Sequence, residues 1–179
     1  MPGGARSSPP CRPLKDNATL NLYARRGLKI VMPYVSRLFI KTGIAYLVLT
    51  FVAGAVLLSL EAAGRPVPYM IEIEHGHAGF VGWLVNTVIG VAYWLLPVNR
   101  ARFAETQGRY PEGRARFSFY ALNVGLALRL LSEPWFSRQP SPAGSAFLYL
   151  AALLQVLGIA AFASIAWQRV FPPPLRPDI

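Results

Sequence analysis

The sequence has little of what soluble active sites are made from. It holds one cysteine and two histidines in 179 residues, and 15% of its side chains are charged, against roughly a quarter in a soluble domain. The solitary Cys11 excludes an internal disulfide framework and a thiolate metal site built from this chain alone. No apolar run precedes it in the sequence, and lipid attachment there is not expected. The first long apolar run begins near residue 42, too far in for a cleaved signal peptide. Acidic residues are scarce as well, eight against eighteen Lys and Arg.

Apolar residues fill the gap. They make up 54% of the chain and come in blocks, with a mean hydropathy of +0.37. A bilayer-spanning helix takes roughly 20 mostly apolar residues. Four blocks approach that length: 42–60, 77–97, 117–133 and 145–167. Asn123 and Arg129 interrupt the third. The pattern predicts an all-α integral membrane protein, a four-helix bundle running up, down, up and down through short connections.

A net charge of +10 raises the question of nucleic acid, and the distribution of the charge answers it. Eight basic residues precede the first block: Arg6, Arg12, Lys15, Arg25, Arg26, Lys29, Arg37 and Lys41. Five separate the second from the third: Arg100, Arg102, Arg109, Arg114 and Arg116. Arg169 and Arg176 follow the fourth, while the other side has only Arg65 and Arg138. The positive-inside rule then predicts cytoplasmic N- and C-termini in the cell inner membrane, an N-in/C-in topology. The expected partner of the basic flanks is anionic lipid, not nucleic acid.

The chain divides accordingly. Residues 1–17, opening "MPGGARSSPPCRPLKD", are expected to be a disordered tail. Residues 18–41 form a basic interfacial segment in which Pro33 separates a short surface helix from the first span. The four-span domain covers 42–168, and 169–179 is a proline-rich cytoplasmic tail. "EAAGRPVPYMIEIE" is expected to be an external loop, kept from helix by Pro66 and Pro68, and the cytoplasmic loop is expected to turn at Tyr110-Pro111. The triplet Asn17-Ala-Thr matches a glycosylation signal, which a cytoplasmic location makes meaningless.

Both histidines lie in "IEIEHGHAGFVGWLVNTVIGVAYWLLP", at the mouth of the second block. Read as a helix, His75, Gly79, Gly82, Asn86, Gly90 and Tyr93 form one stripe suited to close approach of another backbone. His77 points roughly 160° away and heads an apolar stripe of Val81, Leu84, Val88, Val91 and Leu95. On a helix the two imidazoles do not clasp one metal. If 71–77 is extended they share a side, and a copper- or zinc-handling His-x-His site becomes the reading. An ionisable residue at the edge of a span is a functional candidate in either case. Arg129 in the third span needs a partner for its charge. Glu133, four residues on, is the near one. Asn123 is placed to hydrogen-bond Asn86, and Gln155 to make a similar interhelical contact.

"HGHAGFVGWLVNTVIGVAYWLLP" resembles the second helix of haem–copper oxidase catalytic subunits and their nitric oxide reductase relatives, through Trp83, Gly90, Tyr93, Trp94 and Pro97. "ALNVGLALRLLSEPW" is similar to small four-span proteins described as subunit I-like, which carry the same His-x-His. The resemblance covers under a third of the chain. It implies a low-spin b-type haem near the external face, held by His75 or His77. Arg129 would neutralise a propionate, and Met70 is the nearest internal second ligand. The implied role is electron transfer, redox sensing or support of a respiratory complex. With no further histidine, the family's copper ligands and second haem have no counterpart. Oxygen or nitric oxide reduction by this chain alone is not expected, and a bis-histidine haem would need a ligand from a second protomer or another subunit. The other class is a cofactor-free accessory or assembly protein.

Overall fold

A computed structural model describes residues 32–170. The expected disordered tail, the surface helix before Pro33 and the proline-rich stretch after Val170 lie outside the described residues. Four long helices account for most of the rest, and no strand occurs among the described residues. They are α1 (Tyr34–Ala62), α2 (Tyr69–Leu95), α3 (Glu112–Phe136) and α4 (Pro142–Val170). Three of them, α1, α2 and α4, are long and apolar enough to cross a membrane. The 117–133 block lies within α3, whose arginines and asparagine keep it out of that group.

Proline sets the helix starts. Pro33, Pro68 and Pro111 are the N-caps of α1, α2 and α3, where a missing N–H costs nothing. Helix α1 therefore begins eight residues before the apolar block, carrying Arg37 and Lys41 on its first turns. The expected external loop is shorter than its sequence suggests, because 69–74 is already helical, with Glu72 in the first turn facing the positive end of the dipole. The loop between α2 and α3 turns at Gln107 and Gly108, both at positive φ, not at Tyr110-Pro111. A Cβ on Gly108 would stand 2.7 Å from the Arg100 nitrogen, so glycine is required for the loop to close.

The helices pack antiparallel through small residues. Gly54, Gly79, Gly82 and Gly90 lie between α1 and α2, where a side chain would collide with Thr50, Tyr46, Phe39 or Ile40, or with His75 across from Gly54. Gly125 meets Ala151 and Gln155, and Gly158 meets Leu122, which brings α3 against α4. Close backbone approach of this kind is how helices associate when both faces are apolar. The buried core sits at the end where α1 begins and joins all four helices: Val35, Phe39, Ile89, Tyr93, Phe119, Leu122 and Ile165, with Tyr110 from the loop. Phe39 meets Phe119 edge-on at 5.1 Å between centroids, and Tyr93 meets Phe162 edge-on at 5.3 Å. Burial pushes the Tyr110 phenol above its ordinary range. Outside this core the large apolar side chains, Phe51, Leu58, Leu131 and Tyr149 among them, face outward, as in a helix surrounded by lipid.

The middle of α2, Ala78–Val85, is wound as a π-helix. Such segments are rare and cluster at functional sites. Asn86 ends it, donating through Nδ2 to the carbonyls of Val81 and Gly82 at 3.0 Å each. Its Oδ1 accepts from Asn123 Nδ2 at 2.9 Å, the interhelical bond expected between these two residues. Asn123 also donates to the Phe119 carbonyl at 2.9 Å.

Candidate functional site: a buried charge cluster

The first turns of α2 and the last turns of α3 meet at the end of the molecule opposite the aromatic core. The segment Tyr69–His77 is α-helical, so His75 and His77 turn to different neighbours and share no side. His75 faces α1. A Cβ built on Gly54 would stand 3.1 Å from its Cε1 and 3.4 Å from its Nε2. Its Nδ1 is buried with no hydrogen-bond partner. His77 turns back along its own helix, its Nδ1 lying 3.0 Å from the Ile73 carbonyl and 3.8 Å from Glu74 Oε1.

Glu74 immediately precedes His75 in sequence, a residue given no role above. It is 6% exposed, and both carboxylate oxygens are buried without a donor. Arg129 approaches it to 4.0 Å through Nε, but bonds Glu133 Oε2 at 2.8 Å with the same nitrogen. The cluster thus assembles two carboxyls, one guanidinium and one imidazole. The helical spacing of Glu74 and His77, three apart, was the signal that could have found it. Among the described residues no group of three or more His, Cys, Asp or Glu is arranged to hold a metal ion.

Met70 is not part of this cluster. It lines a cleft with Tyr69, Ile71, Pro134, Ser137 and Arg138. A b-type haem finds one of its requirements here, the imidazole of His75. The others are not met. The His75 ring fills the seam at Gly54, and the seam is closed further in by Gly79 on Thr50 and Gly82 on Tyr46. Met70 faces another surface, and Arg129 is committed to Glu133. These residues, as packed, do not fit a haem.

A second buried cation stands at the other end. Arg169 is 2% exposed. It donates through Nε to the Pro97 carbonyl at 3.0 Å, through one terminal nitrogen to the Tyr93 carbonyl at 3.0 Å, and through the other to Leu96. These are carbonyls at the C-terminus of α2, whose orphan acceptors and dipole both favour a cation. Asn99 and Arg102 tie the same loop to Gln168, at 3.0 and 3.2 Å. In sequence Arg169 reads as a topology charge; in the fold it fastens α4 to the end of α2.

No family model matches the chain, and no curated protein and no solved structure matches it.

Proposed function

We propose that this chain is a multi-pass inner-membrane protein of four antiparallel spans with cytoplasmic termini, serving as an accessory or assembly subunit of a larger membrane complex without an iron centre of its own. The sidedness of the arginines supports the topology. The antiparallel order supports it too, because it gathers the basic 98–116 loop and Arg169 at one end and Glu74, His77 and Arg129 at the other. The observation that carries the accessory role is the commitment of His75 to the α1 seam and of Arg129 to Glu133. The side chains a haem would draw on already serve the bundle.

Absorption spectra of the full chain, purified in mild detergent from iron-sufficient cells, test this reading. The expected preparation shows no Soret band, oxidised or reduced. A Soret band removed by His75→Ala and kept by His77→Ala would overturn the accessory role and restore the haem. For the topology, a reporter fused after Ile179 is expected to be active only in the cytoplasm. Periplasmic activity would reverse the order of the spans.

A further inference from the structure

We propose that Glu74 and Glu133, with Arg129 and His77 beside them, form a proton-binding site inside the helix bundle, which holds one proton between the two carboxyls and exchanges it with water at that end. The proposal rests on the membrane reading above, since lipid around α2 and α3 is what keeps bulk water from the cluster.

The charges do not balance without it. Arg129 is the one guanidinium beside two carboxyls, it is bonded to Glu133, and Glu74 is the acid to which no donor reaches. A buried carboxylate in that condition is costly. Arg129 does not relieve it, because its Nε is bonded to Glu133 and stays 4.0 Å from Glu74 Oε1. His77 does not either, because its Nδ1 is bonded to the Ile73 carbonyl at 3.0 Å. The neighbour that remains is the Glu133 carboxyl, brought to the same place by Arg129, whose Nε lies 2.8 Å from Glu133 Oε2 and 4.0 Å from Glu74 Oε1. Two carboxyls bond one another only with a proton between them.

The surroundings are otherwise silent. Between residues 44 and 60 α1 has no ionisable side chain but Tyr46, which lies against Gly82, and Glu61 just beyond is exposed. The first half of α4 offers only Tyr149, which is exposed. His77, with 27% of its side chain exposed and its Nδ1 3.8 Å from Glu74 Oε1, is the part-exposed neighbour of the acids. Loading makes one O–H bond on a carboxyl oxygen with a proton taken from water, and unloading breaks it. No other bond changes and no electron moves. By this account the pair titrates as a unit and not as two separate acids.

Infrared difference spectra of the full chain in lipid vesicles, stepped from mildly acidic to alkaline pH, read the site directly. The expected result is the C=O stretch of a protonated carboxyl that disappears as pH rises. Glu74→Gln should abolish it, and Glu133→Gln should move the step to a different pH. A wild-type spectrum without such a band, or a band untouched by both substitutions, overturns the proposal. Should Glu74→Gln fail to fold, Glu133→Gln decides alone, and an unmoved step is the negative result. A Soret band would defeat the accessory role and leave this band in place, whereas a missing carboxyl band would defeat the site and leave the accessory role standing.

Discussion

Arg169 and Arg129 are both arginines held away from water in an apolar molecule, and they are treated in opposite ways. Arg169 is 2% exposed, and its fork is filled by three main-chain carbonyls of the α2 end. Arg129 keeps 31% of its side chain exposed and stands between two carboxylates, bonding one and only approaching the other. At the first end each nitrogen of the guanidinium is answered, so it acts as a rivet. At the second a buried acid is left without a donor, and an unanswered buried charge persists only where something else stabilises it. Saturation marks structure and deficit marks function.

Arg169→Ala gives the largest expected effect, because it strands three carbonyls. Each bond to a charged donor is worth about 1.5–3 kcal/mol, so the loss is at least about 3 kcal/mol, measured as thermal unfolding in mild detergent by circular dichroism. Arg169→Lys should recover part of it, since an ammonium does not reproduce the planar fork. Gly158→Ala follows. A Cβ there would stand 2.7 Å from the Leu122 nitrogen, and overpacking of this kind costs about 1–3 kcal/mol. Gly76→Ala is its control, because nothing lies within 4 Å of the added carbon and the change favours helix by up to about 1 kcal/mol. A double-mutant cycle of Asn86→Ala and Asn123→Ala should give a coupling of about 0.6–2 kcal/mol, the range for polar contacts between helices in lipid. The smallest effect belongs to Glu112→Gln. Its pair with Arg116 at 2.6 Å is half-exposed, worth at most about 0.5 kcal/mol. A large loss there, or none at Arg169, would break the contrast between filled and exposed pairs.

The sequence made the coarse architecture legible because apolar blocks and prolines act locally. Pro33 marks a helix start, and the blocks at 42–60 and 145–167 lie inside α1 and α4. Pairs at helical spacing were also readable. Arg129 finds Glu133, and Asn123 reaches Asn86 across two helices. What escaped is set by tertiary packing. Glu74 was given no role beside the histidines, yet the fold buries it. Arg169 read as a sidedness charge, yet the end of α2 receives it. The π-wound stretch of α2 was not readable in "AGFVGWLV"; the Asn86 side chain donates to the Gly82 carbonyl inside it.

The claim that a filled polar site is structural and an unfilled one functional is tested most directly by unfolding Glu74→Gln and Arg169→Ala side by side in the same detergent at neutral pH. The account predicts that Glu74→Gln melts at the wild-type temperature or above it, while Arg169→Ala melts well below. Equal destabilisation by the two substitutions would contradict it.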